Sequence, residues 1–148
     1  MELKKAEYNM IGKIVEMSIR AFRTDTAVGG VEGDCPPDYD SLAWHRQMAE
    51  EGHLYQAEVN EEIVGGALLF EDEKNLSLYV GRIFIDSFHH RKGYGLLLMQ
   101  CIENNFPDIR EFNLDTPEWN VRTNAFYQKL GYSKVKVEDG FTFYKKER

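Results

Sequence analysis

Six residues, 90–95 (HRKGYG), constrain this chain more than any other stretch. They follow residues 76–86 (LSLYVGRIFID), a run rich in β-branched and aromatic side chains that reads as a strand. They open an apolar helical stretch at 93–105. A strand, a glycine turn and a helix start place several backbone N–H groups at the positive end of a helix, which suits a phosphate. Gly93 and Gly95 permit close backbone approach, and Arg91 and Lys92 add positive charge. Two familiar phosphate motifs are absent: a dinucleotide fingerprint needs a third glycine at position 98, which is Leu98, and there is no Gly-Lys-Ser/Thr for a P-loop. On these six residues alone the segment is either a pyrophosphate cradle of another kind or a tight strand-to-helix turn.

The elements around it follow from apolar spacing. Residues 1–6 read as a short strand. Residues 8–22 read as a helix, because Met10, Ile11, Ile14, Val15, Ser18 and Phe22 recur at three and four. Residues 24–40 are loop, punctuated by Gly29, Gly30, Gly33, Pro36 and Pro37, and a second helix covers 39–51. Residues 53–59 and 63–71 form a hairpin around Asn60, Glu61 and Glu62. After the strand at 76–86 and the helix at 93–105 come a strand at 111–115 and a helix at 120–130, closed by Gly131. Strands at 133–137 and 141–145 flank the turn Glu138-Asp139-Gly140. The order β-α-α-β-β-β-α-β-α-β-β predicts an α/β or α+β sheet with helices on its faces.

A chain of 148 residues is expected to form one domain, 1–148, that buries roughly two-thirds of its unfolded surface and needs no disulfide or structural metal. Its formal charge of −7 argues against a nucleic-acid or basic membrane-surface protein. The longest apolar run, 63–70, is far short of the ~18 residues of a membrane span, and no signal-peptide core is visible, so a cytoplasmic protein is expected. Cys35 and Cys101 make no disulfide framework. Cys101 is expected in the core, whereas Cys35 sits in the glycine and proline loop. Adjacent His89 and His90 on an extended segment point to opposite sides, so they read as a solvent-facing pair, and no metal is expected.

The flanks of the glycine loop carry a resemblance. Ile85 ends a strand eight positions before Gly93; Gly93 and Gly95 fit the glycines of [RQ]-x-x-G-x-[GA], and apolar residues 96–102 follow. A second motif, N-x(6)-Y-x-K-x-G-[FY], is met by Asn120, Tyr127, Lys129, Gly131 and Tyr132. In these features, over residues 76–148, the chain resembles the GNAT superfamily of acyl-coenzyme A N-acyltransferases; residues 63–69 (IVGGALL) look like that family's third strand. One position departs: His90 stands where the family has Arg or Gln. The glycine amides do not depend on that side chain, and Arg91 is a neighbouring source of charge.

The resemblance implies a mixed, mostly antiparallel sheet of six to seven strands with helices on both faces. It implies acetyl-coenzyme A as co-substrate, held between the fourth and fifth strands. The pantetheine arm would pair with the backbone of Ile83 and Ile85, and the pyrophosphate would sit on the loop of His90, Arg91, Lys92, Gly93, Tyr94 and Gly95. Asn120 reads as a helix N-cap, and in this family it is also a coenzyme contact. A primary amine, on a small molecule or a peptide, would attack the thioester directly, without an acyl-enzyme. Tyr127 would be the general acid to the thiolate, its phenol (pKa about 10) only mildly above a thiol (about 8.5).

The base is open, because strand 76–85 has no acid; Glu71, Asp86, Asp115, Glu118 and a water relay all qualify. Tyr79 and Arg82 either shape the acceptor pocket or serve packing. Five acids between the first two helices, Asp25, Glu32, Asp34, Asp38 and Asp40, would favour a cationic amine, or are a solvated loop. Many relatives dimerise. Two alternatives stand beside acetyl transfer: a non-catalytic acyl-coenzyme A sensor, and a transferase for another acyl group such as succinyl.

Overall fold

Alternating and helical apolar spacing produce the regular elements of the computed structural model, which describes residues 1–23 and 35–148. They are β1 (Glu2–Lys5), α1 (Ile11–Arg23), α2 (Leu42–Glu50), β2 (Leu54–Val59), β3 (Glu62–Asp72), β4 (Ser77–Ile85), α3 (Tyr94–Asn105), β5 (Glu111–Pro117), α4 (Val121–Lys129), β6 (Ser133–Glu138) and β7 (Phe141–Glu147). The order matches the sequence reading, with local differences. The first helix opens with a 3-10 turn, Tyr8–Met10. The second begins at Leu42, because the Ser41 side chain accepts the Trp44 N–H and caps it there. The β2–β3 turn is tighter than expected, with Asn60 and Glu61 both in the left-handed region (φ 51° and 67°) and Glu62 already in β3.

Seven strands form one sheet in the order β1-β2-β3-β4-β5-β7-β6, and only β4–β5 is parallel. α1 and α2 cover one face, where Ile11, Ile14 and Met17 pack with Leu54, Leu68 and Phe84. α3 and α4 cover the other, where Leu98, Met99, Ile102 and Tyr127 meet Leu69, Leu78, Val80, Phe112 and Leu114. Cys101 is half-buried rather than core, its thiol 3.1 Å from the Met1 carbonyl oxygen; Cys35 is also half-buried, 3.7 Å from the Phe22 carbonyl oxygen.

Two features of β4 create the site. The β3–β4 register steps from Leu68↔Arg82 to Leu69↔Val80, which leaves Gly81 as a bulge. The extra residue reverses the parity of the strand. Leu78 and Val80 face α3 and α4 before it, and Ile83 and Ile85 pack towards that same side after it, while Phe84 faces α1. Tyr79 and Arg82 therefore share the α1–α2 face: Tyr79 meets Phe70 at 6.2 Å, and Arg82 lies over Trp44 of α2. The second feature is that pairing of β4 with β5 runs only from Ser77↔Glu111 to Val80↔Leu114. Beyond Val80 the two strands part.

Candidate active site

A cleft of about 560 Å³ fills the gap where β4 and β5 separate. Its walls are residues 79–83 of β4, Asp115, Thr116 and Pro117 of β5, Asn120, Thr123 and Tyr127 at α4, and Phe22, Cys35, Pro36 and Pro37 on the α1 side, with Trp119 and the Gly140-Phe141 corner completing them. Because the gap passes through the sheet, the cleft meets side chains from both faces. On β5, Phe112, Leu114 and Thr116 are buried beneath α4, so alternation turns Asp115 to the α1–α2 face. There Asp115 accepts the Tyr79 O–H at 2.9 Å.

Tyr127 enters from the α4 side. It is 8% exposed and packs its ring against Phe126, Tyr132 and Tyr144 at 5.2, 6.0 and 6.2 Å. Burial pushes its phenol well above the usual value, and the nearby Asp115 charge pushes the same way. The free-solution comparison of phenol with thiol thus understates the work of making tyrosinate. A thiolate formed in the same cleft would suffer the same desolvation, so the difference between the two grows less than the phenol shift alone. Tyr79 behaves alike: burial first, then Asp115, keep it protonated.

Asn120 caps α4, as its position predicts, accepting the Thr123 N–H at 3.1 Å while buried. Thr123 in turn holds Thr116 of β5 at 2.7 Å, which fixes α4, and with it Tyr127, against the cleft.

The glycine loop lies past the end of β4, outside the cleft wall. Gly93 is the N-cap of α3 with φ 74° and no side-chain cap, so the amides of Gly93, Tyr94, Gly95 and Leu96 have no intrahelical acceptor. A Cβ at Gly93 would meet nothing within 4 Å, so the turn is open to solvent at the helix start. Arg91 and Lys92 beside them are exposed. His90 does something the sequence did not disclose: its Nε2 is 2.8 Å from the Ile85 carbonyl oxygen, folding the loop back onto β4. His89 and His90 are half-buried, not the solvent-facing pair expected; His89 lies 3.7 Å from Glu62 and stacks near Tyr94. Ile83 and Ile85 sit on the unpaired stretch of β4. The Asp86 N–H bonds to Val64 on β3, so alternation turns the amides and carbonyls of Ile83 and Ile85 to the open, β5 side.

Of the four acids that could serve as base, only Asp115 lines the cleft. Glu71 and Glu118 are exposed outside its wall. Asp86 is engaged elsewhere: it is 3% exposed and takes two hydrogen bonds from Arg20, at 2.7 and 2.8 Å. Burial alone would raise its carboxyl, but the Arg20 hydrogen bonds, the Phe88 N–H and the Arg20 charge together hold it below the ordinary range. Arg20→Ala should therefore cost about 2–3 kcal/mol, because it strands a buried carboxylate whose partner is itself about one-third exposed. The contribution is complete above the unfolded carboxyl value near 4 and is lost as pH falls through the lowered folded value. Urea midpoints of wild type and Arg20→Ala, converging as the pH drops below about 4, check this.

A seven-stranded mixed sheet opened between two parallel strands, with a glycine-capped helix after the inner strand, defines the GNAT acetyltransferase class of fold. The sequence agrees: the model of the acetyltransferase (GNAT) family matches residues 14–132, and the chain belongs to that family. It is an acetyltransferase by that membership. The PaiA N-acetyltransferase of Thermoplasma acidophilum, solved in complex with coenzyme A, superposes with a TM-score of 0.85 at 14% identity over 99% of this chain and 98% of its own. A GNAT-family acetyltransferase of Streptococcus agalactiae gives 0.84 at 18% identity, over 99% and 95%. The ribosomal-protein-S18-alanine N-acetyltransferase of Escherichia coli gives 0.75 at 14%, over 98% and 92%. No curated protein matches the chain. No helix among the described residues is long and apolar enough to cross a membrane.

Proposed function

We propose that this chain moves an acetyl group from acetyl-coenzyme A to a primary amine by direct attack within a ternary complex. The carrying observation is the cleft beyond Val80 and Leu114, which has a buried phenol on one face of the sheet and a carboxylate on the other. The backbone of Ile83 and the N–H of Ile85, left without a strand partner, receive the pantetheine arm, while the Ile85 carbonyl is held by His90. The amides of Arg91, Lys92, Gly93, Tyr94 and Gly95 receive the pyrophosphate, with Arg91 and Lys92 adding charge. His90 holds the loop to β4, and Asn120 shapes the inner wall.

Asp115 takes the proton of the incoming ammonium, directly or through one water, while Tyr79 donates a hydrogen bond that orients the carboxylate. The amine lone pair then forms the new C–N bond as the C–S bond breaks, and the acylated nitrogen gives up its remaining extra proton to water. Tyr127 delivers its proton to the departing sulfur and is reprotonated from solvent. Asp115 on β5 supplies the acid that β4 lacks, which favours an enzyme over a coenzyme sensor.

Thiol release from acetyl-coenzyme A across a panel of amines tests the reading, and thermal shifts with coenzyme A report its first step. No shift at millimolar ligand would defeat it. Gly93→Val should raise KM for acetyl-coenzyme A by about tenfold or more: a β-branched residue is strained at φ 74°, so the turn that presents the helix amides must shift. An unchanged KM would remove this loop from coenzyme binding.

A further inference from the structure

Arg82 is the only cation in the described part of the cleft wall. Its guanidinium stacks 4.6 Å above Trp44 and donates from Nη2 to the Pro37 carbonyl oxygen. Its Nη1 is buried without a hydrogen-bond partner, and no carboxylate of the described residues lies within ion-pair distance of it. A half-buried guanidinium with an unused donor is costly unless something pairs with it. The same wall carries the opposite charge on Asp115, hydrogen-bonded to Tyr79, and the bulge at Gly81 places Tyr79 and Arg82 on one face. The acceptor side of the cleft thus carries both signs: the Asp115 carboxylate, and a guanidinium with no carboxylate partner among the described residues.

We infer that the acceptor is an amine that also carries a carboxylate, which pairs with Arg82 while the amine lies towards Asp115. This rests on the acetyl-transfer reading and narrows its substrate. The planar guanidinium fork matches a carboxylate. A phosphate dianion would set two charges against a single cation. A polyamine would bring further positive charge up to a guanidinium that has no ion-pair partner among the described residues. The expectation of a purely cationic acceptor drew on five acids, of which Asp25, Glu32 and Asp34 lie outside the described residues. Asp38 and Asp40 remain, and neither lines the cleft, whereas Arg82 does.

The test compares matched amines with and without the carboxylate: ornithine with putrescine, lysine with cadaverine, β-alanine with ethylamine, and aminoethyl phosphate as the phosphate arm. The wild type should favour the carboxylated member by about 10- to 100-fold in kcat/KM. In Arg82→Gln that ratio should fall towards one, mainly through KM, and Arg82→Lys should restore part of it. A structural role for Arg82 would depress both members alike and leave the ratio unmoved. A wild type that prefers the carboxylate-free amines or aminoethyl phosphate, or a ratio that survives in Arg82→Gln, would overturn the inference while leaving acetyl transfer standing. No acetyl-coenzyme A-dependent thiol release with any amine would overturn both.

Discussion

Tyr127→Phe should lower kcat by about 10²- to 10³-fold, with little change in KM for acetyl-coenzyme A. The substitution keeps the ring and therefore its contacts with Phe126, Tyr132 and Tyr144; only the hydroxyl goes. Stability should move by less than about 1 kcal/mol, so the loss cannot be assigned to unfolding. A sharper test lies in the leaving group. A thiolate of low pKa departs without a proton, so thioesters of increasingly acidic thiols should recover most of the deficit in Tyr127→Phe and gain less in wild type. Equal activity of the two proteins towards acetyl-coenzyme A would reduce Tyr127 to a packing residue.

The second large effect belongs to Asp115. Asp115→Asn retains the size of the side chain and can still accept from Tyr79, but it cannot take a proton. At neutral pH an aliphatic amine is almost wholly ammonium, its pKa being about 10. The variant should lose about 10²-fold or more in kcat/KM at pH 7. The deficit should shrink steadily as the pH is raised towards 10, because the amine then arrives deprotonated. Tyr79→Phe should cost less, since it removes only the group that orients the base. A deficit independent of pH would show that Asp115 positions the acceptor rather than deprotonating it.

Much of this architecture was legible in the chain. The glycine pair after residues 76–86, and the Asn120 to Tyr132 motif behind it, are local patterns whose spacing survives folding intact. The order of elements followed from apolar periodicity, and the Asn120 cap lies where its side chain reaches the third amide onward; the Ser41 cap, which starts the second helix later than expected, was not read. What escaped the sequence is long-range. Nothing in LSLYVGRIFID marks Gly81 as a bulge, because the offset exists only relative to Leu68 and Leu69 on β3. Tyr79 and Asp115 are 36 residues apart and meet through the parallel register of β4 and β5. The choice among four acids was open for that reason. The His90 contact was hidden by its own motif: the loop suggested phosphate, whereas the imidazole reaches back five residues to Ile85.

The bulge also bears on how such an enzyme can change. In a regular strand Tyr79 would share a face with residues 81, 83 and 85, and any adaptation to a new acceptor would disturb the coenzyme side. The inserted glycine separates the two. A Cβ there would lie 2.8 Å from the Phe70 ring, so the position tolerates little else. With the parity reset, positions 79 and 82 form one module and positions 83 and 85 another on the same nine-residue strand. Libraries that randomise the first pair can therefore sample new acceptors while donor recognition stays fixed, and a single small residue sets the boundary between what is free to evolve and what is held.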